Sequence, residues 1–370
     1  MYTLNFNFKK FTYTKRNKTI EKKLKKKIYS YFDQKLIKSF SKNYKLSLEE
    51  NKLYKYKKFK NYNIIGMGGS SLGAKAIYNF FKNKVKKNFS FIDNINLNEN
   101  YKKKETLNII ISKSGNTIET IANFKKLKSK KNNLFICENS NNTLRTLAQK
   151  LKSEIINHKN YIGGRYSVLS EVGMLPATLM GLDARKFKHF DNLIQNKFFF
   201  NSLIENVGLT ISLIKKKKFN SVILNYDESS EDLFKWYQQL IAESLGKKSR
   251  GIFPIVSNLP RDNHSLMQLY LDGPKKNFFT FFDVLDFSKK NSLAKIKLAQ
   301  KKATQIVFKK KKIPFRCFDL LSRSEKSLGE IFTFFMLESI LLGKALNLNP
   351  FDQPSVELIK IETNKIIKHS

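Results

Sequence analysis

A chain of 370 residues with 41 % apolar and 13 % aromatic side chains can bury two ordinary cores, which excludes an intrinsically disordered polymer. Its net charge of +40 points to anionic partners, yet abundant Lys, Asn, Ile and Phe together are also what AT-rich codons impose on any protein. The lysines are scattered, as in "KKKIYS", "KKKFNS" and "FKKKKIPF", rather than gathered beside exposed aromatics, which argues against a dedicated nucleic-acid domain.

In chain order, "MYTLNFNFKKFTYTK" lacks the continuous apolar core of a secretion signal, and residues 1–50 read as a lysine-rich, loosely helical arm. A buried strand at "NYNIIGMGG" then leads into the helical pattern "SLGAKAIYNFFKN". Apolar strands recur at "FSFID", "LNIIIS" and "NNLFICE", alternating with helical segments near 117–130 and 142–152. A helical connection covers about 166–217, and a second strand set follows at "SVILNYD", "GIFPIVS", "FFTFFDVLD" and "IPFRCFDL". Helices at about 324–346 and 354–368 close the chain. Continuous apolar strands alternating with amphipathic helices predict an α/β protein with two doubly wound domains, their parallel sheets flanked by helices. The expected division is an arm over 1–50, domains over 51–200 and 201–346, and a C-terminal helical segment over 347–370.

"IFTFFMLESILLG" is interrupted by Glu338 and is too short to span a bilayer, so a soluble cytoplasmic protein with no membrane partner is expected. Cys137 and Cys317 lie in separate apolar runs and read as buried strand residues, not as a disulfide framework. The four histidines have no metal-ligand spacing.

Two segments fall where the strands of an open α/β sheet end, the usual place for a ligand. "GMGGSSLG" misses the dinucleotide pattern because Ser71 stands where the third glycine belongs, although Asp93 could pass for a ribose-binding acid. It lacks the GK[ST] ending of a nucleotide-binding loop as well. What remains is either a tight strand-to-helix turn or an anion site presenting Ser70 and Ser71 at a helix N-terminus. In "ISKSGNTIET", Asn116 as N-cap with Glu119 three residues on makes a capping arrangement. Capping leaves Ser112, Lys113, Ser114 and Gly115 without a task, and a bound phosphate gives them one.

Further along, "YIGGRYSVLSEVG" sets Arg165 behind two glycines, where backbone and guanidinium can approach a ligand together; it could also simply pair on the surface. In "WYQQLIAESLGKKSRG", Glu243 occupies the last helical turn, where the helix dipole disfavours a carboxylate and pushes it toward a working general base. Misplaced glutamates also often just face solvent. "NLPRDNHSLMQLYLDGP" places His264 among polar neighbours at a strand exit, suited to acid–base work, whereas His158, His189 and His369 have weaker surroundings. "NPFDQPSVELIK" presents Gln353 after a compact turn, Pro354 at a first helical position and Lys360 beyond it.

Taken in order, "GMGGSSLG", "SKSGNTIET", "GGRYSVLSEVG", "AESLGK", "DNHSLMQLYLDG" and "NPFDQPSVELIK" closely resemble the phosphoglucose isomerase family over about residues 60–362. The resemblance implies two sugar-isomerase domains and interconversion of glucose 6-phosphate with fructose 6-phosphate, with no metal or organic cofactor. It implies Glu243 as the base shuttling a proton between C2 and C1 through a cis-enediol(ate), with Arg165 steadying the charge. His264 and Lys360 would assist ring opening, with Glu119 close to the histidine. Ser70, Ser112, Lys113 (largely by its backbone), Ser114, Thr117 and Gln353 would hold the phosphate, with Gly69 and Gly164 contributing backbone near the sugar. The histidine would come from the partner subunit, so the expected partners are a sugar phosphate and a second copy in a homodimer, with no specific nucleic acid. The chain departs from many members at Ser114, where threonine is common, and at Gly115, where a bulky aromatic is common. It is also compact for the family, and residues 1–50 match nothing in it.

Two other classes compete. A non-catalytic sugar-phosphate sensor would need the serine loops but not Glu243 or His264. A nucleic-acid binder would rest on the +40 charge and would hold its ligand at physiological salt. Activity on mannose 6-phosphate is a neighbouring possibility.

Overall fold

The structure is a computed structural model that describes residues 3–47, 53–95, 105–127, 131–285 and 292–369. The first sheet gathers β2 (Asn61–Ile65), β3 (Asn88–Ile92), β4 (Thr106–Ile111), β5 (Asn133–Glu138) and β6 (Glu154–His158). All run parallel in the order β3-β2-β4-β5-β6. Runs such as "III" in β4 and "LFIC" in β5 are apolar at consecutive positions because helices cover both faces. Those helices include α3 (Leu72–Phe80), α4 (Ile118–Lys126) and α5 (Thr143–Lys150).

The second sheet has the order β1-β10-β9-β7-β8, from β1 (Phe6–Lys9), β7 (Asn220–Asn225), β8 (Phe253–Asn258), β9 (Asn277–Val284) and β10 (Phe315–Leu320). Four of its strands are parallel, and β1 pairs antiparallel with β10, Phe6 opposite Leu320. The expected arm is thus joined to the second sheet through β1. Phe6 and Phe8 lay their rings against Phe318 and Phe334, fixing β1 by aromatic contact. Helix α1 (Lys18–Phe32) follows, with Leu24, Ile28 and Phe32 buried.

The expected helical connection contains α6 (Glu171–Leu179), α7 (Phe190–Gln195) and α8 (Lys197–Lys215). Helix α9 (Glu231–Leu245) packs on α3 and so joins the two sheets' layers. At the centre runs α12 (Glu325–Ala345), buried from Ser327 through Gly343. Its Glu338 is compensated by Arg316 and by Asn206, and Arg316 also donates to the Thr280 hydroxyl at 2.9 Å. Such pairing is what lets a carboxylate stay in a core, since desolvating either charge alone costs several kcal/mol. Cys137 and Cys317 are both free and buried in strands, as expected. Among the described residues no helix is long and apolar enough to cross a membrane.

A second buried polar cluster lies beneath α6. Glu171 accepts hydrogen bonds from the Tyr44 and Ser47 hydroxyls, both at 2.9 Å, and has His158 Nδ1 at 3.8 Å. Burial alone would raise this carboxyl, but the neighbouring imidazole, backbone amide and hydroxyls bring it down to about 2. Burial pushes the Lys188 ammonium the other way for a cation, down to about 7 from 10.5, although Glu171 opposes the shift. Between those two values the unfolded chain binds the proton that the folded chain has released, so stability rises with pH there. The expected slope is up to ~1.4 kcal/mol per pH unit. Thermal melting of wild type across this window should show the rise, and Lys188→Met should flatten it; identical curves would mean Lys188 stays charged in the folded protein.

Candidate active site

After β2 the chain passes to β3 on one side and then to β4 on the other, so β2 and β4 flank the switch point where a crevice opens. Both glycine-hydroxyl segments leave from there. The first turns through Gly68–Ser70 into α3. Gly68 has φ +53°, and a Cβ on Gly69 would stand 2.2 Å from the carbonyl carbon of Gly164. Glycine is thus what brings this turn and the Gly163–Arg165 turn into backbone contact. The Ser167 hydroxyl clamps them, within 2.7 Å of the Gly164 carbonyl and 3.2 Å of the Gly69 carbonyl.

In the second segment the buried Ser112 hydroxyl is 2.8 Å from that of Thr117 and accepts from the Gly115 amide at 3.2 Å. Gly115 has φ +69°, and any Cβ there would meet Asn142 at 1.9 Å, so a larger residue needs a different Asn142. Exposed Ser114 accepts from the Asn116 amide at 3.3 Å. Asn116 is not the N-cap. Thr117 occupies that position, and the Asn116 side chain instead accepts from the amide and hydroxyl of Thr143, both at 2.9 Å. The Lys113 ammonium turns to Glu138, 3.4 Å away, while the Lys113 carbonyl accepts from the Glu138 amide at 3.0 Å. Glu119 lies half-buried in the first turn of α4.

Arg165 is the hub. Only 2 % exposed, it donates from Nε to the Ser244 hydroxyl at 2.9 Å and from Nη1 to Glu243 at 3.1 Å and Gln353 at 2.9 Å. Its Nη2 donates to the carbonyls of Pro350 at 2.7 Å and Asp352 at 2.9 Å. One planar fork thereby ties the Gly163–Arg165 turn, the end of α9 and the turn before the C-terminal helix. Glu243 does sit where the dipole of α9 opposes it, and the guanidinium offsets that penalty. Its other oxygen accepts from Gln239 Nε2 at 2.8 Å.

Gln239 escaped the sequence reading. Its amide nitrogen is 2.8 Å from where a Gly68 Cβ would be, so it bridges the serine turn and the Glu243 carboxylate. The available signal was spacing: residues four apart share one helix face.

Two predicted residues stand apart. His264 is exposed on the turn beyond β8, and Lys360 is exposed on α13 (Pro354–His369), paired with Glu357 at 2.6 Å. Neither shares a described hydrogen bond with Arg165 or Glu243. Among the described residues no group of three His, Cys, Asp or Glu side chains is arranged to hold a metal.

Residues 21–252 match the model of the phosphoglucose isomerase family. The glucose-6-phosphate isomerase of Methanocaldococcus jannaschii is 33 % identical over 359 residues, covering 86 % of this chain and 88 % of the relative. That of Mycoplasmopsis pulmonis is 31 % identical over 82 % of each chain. A solved hypothetical protein from Thermus thermophilus shares the fold with a TM-score of 0.78 at 22 % identity, covering 95 % of this chain and 94 % of that one. A glucose-6-phosphate isomerase structure from Chlamydia trachomatis does so with a TM-score of 0.71 at 20 % identity, covering 86 % and 72 %. The chain therefore belongs to the phosphoglucose isomerase family and is an enzyme of the isomerase class.

Proposed function

We propose that the enzyme interconverts glucose 6-phosphate and fructose 6-phosphate by proton transfer through a cis-enediol(ate). The observation that carries the reading is the Arg165–Glu243–Gln239 chain, which holds one carboxylate against the glycine-serine turn at the sheet's switch point. The phosphate is assigned to Ser70, Ser112, Ser114, Thr117, the Lys113 backbone and Gln353. Gly69 and Gly164 bring their backbone beside the sugar. Anchoring the dianion far from the reacting carbons supplies binding energy that holds C1 and C2 at the base.

Glu243 takes the C2 proton of the open-chain aldose, the C–H pair becomes the C1–C2 double bond, and the carbonyl oxygen gains the charge. A protonated Glu243 is a poorer acceptor, so an Arg165 Nη1 hydrogen is released toward the new oxyanion. The C2 hydroxyl proton passes to the C1 oxygen, so the charge moves to O2; as the C2 carbonyl forms, the C1–C2 double-bond pair takes the proton back from Glu243 at C1. Ring opening is assigned to Lys360 and to His264 of the partner subunit, with Glu119 beside the histidine; exposure of His264 fits a role across a homodimer interface.

A coupled assay with glucose 6-phosphate and mannose 6-phosphate side by side tests the reading. Equilibration of the first is expected. Binding of fructose 6-phosphate with no equilibration would make the chain a sensor, and full activity as a monomer would remove the shared site.

A further inference from the structure

The phosphate loop assigned above, residues 112–117, is gripped from behind by the connection that carries β5 into α5. The Glu138 amide donates to the Lys113 carbonyl at 3.0 Å, and the Leu144 amide donates to the Gly115 carbonyl at 3.0 Å. Across a planar trans peptide the C=O and the next N–H point in opposite directions. Drawing these two carbonyls toward the connection therefore turns the Ser114 and Asn116 amides to the loop's other side. The Asn116 amide meets the Ser114 hydroxyl oxygen there at 3.3 Å, which leaves that hydroxyl's own hydrogen to donate. Two partial negative charges are thus kept off the side left for a dianion.

The start of α4 is arranged to the same end. Its N-cap residue, Thr117, makes no capping side-chain bond, and its hydroxyl lies 2.8 Å from that of Ser112. Asn116, the neighbour equally suited to capping, accepts instead from the Thr143 amide and hydroxyl, both at 2.9 Å. Helix α5 has a cap of its own, because Asn142 accepts from the Arg145 amide at 3.0 Å. Both candidate caps are therefore drawn off α4, whose N-terminus is the end that favours an anion. We propose that Asn116 and Thr143 are positioning residues for the substrate's phosphate: their contact pins the loop with the first turn of α4 open, and neither takes part in proton transfer. This rests on the phosphate assignment made above. A contact that served only the fold would act on melting and on the amount of active enzyme. One that holds the phosphate loop acts on binding in ground state and transition state alike, and so on KM with kcat kept.

The test is steady-state isomerisation of glucose 6-phosphate by the full chain, with inorganic phosphate as the competing anion. Asn116→Ala loses both bonds and should raise KM and the phosphate inhibition constant together, by about fivefold, with kcat within about twofold of wild type. Thr143→Val loses only the hydroxyl bond and should raise both about twofold. Thr143→Ser should restore wild-type values, and Asn116→Ala/Thr143→Val should be no worse than Asn116→Ala alone. Ser114→Ala reports on the phosphate assignment itself. A higher inhibition constant in Ser114→Ala with none in Asn116→Ala would overturn the inference and keep the phosphate site. No rise in either would remove the site and the inference with it. A drop in melting temperature and kcat in Asn116→Ala, with KM unmoved, would make the contact one of fold alone and also overturn it.

Discussion

Glu243→Gln should lower kcat by ~10²–10⁴-fold, the usual worth of a positioned base. The amide keeps the volume and can still accept from Gln239 or Arg165, so the cluster around it persists. What it loses is the capacity to take a proton from carbon. Affinity for fructose 6-phosphate should therefore stay within a few fold, because the proposal assigns the phosphate to other residues. Steady-state turnover together with equilibrium binding on one preparation separates the two quantities. Turnover near wild type would remove Glu243 as the base.

Arg165→Lys should be nearly as damaging, and on two counts. An ammonium has three donors and no fork, so it cannot reach the five acceptors now served in two chain segments. Losing the charge-assisted donor to the proposed enediolate should cost ~10²–10³-fold in kcat. Losing the bonds to the Pro350 and Asp352 carbonyls, which keep the Tyr166 hydroxyl and the Lys247 ammonium as partners, should cost about 0.5–1.5 kcal/mol each. Melting temperature and kcat should thus fall together, unlike in Glu243→Gln. A variant with wild-type kcat and melting would show that the hub is ornamental to both.

How the sequence reading fared follows from what each feature depends on. Apolar runs announce strands of a covered sheet, and all eight expected from 61 onward align with observed strands in one or the other sheet; β1 and β6 were not expected. Strand β1 hid because "FNFK" is short, alternating and set at an edge, where its meaning comes from Phe318 and Phe334 more than three hundred residues away. The glycines were legible as turns, but that Gly69 meets Gly164 backbone to backbone is a tertiary fact. Asn116 has the composition of a cap and is diverted to Thr143, a partner in the following helix. Arg165 and Glu243 stood out by position; that each is the other's partner did not, since they lie 78 residues apart.

The most direct measurement is isomerisation of fructose 6-phosphate in deuterium oxide, read by proton NMR at C2 of the glucose 6-phosphate formed. Proton transfer by a carboxylate that exchanges with solvent predicts deuterium at C2 with wild type and almost none in the same time with Glu243→Gln. Product carrying no solvent deuterium at all, or labelling by the Gln variant at the wild-type rate, would contradict it.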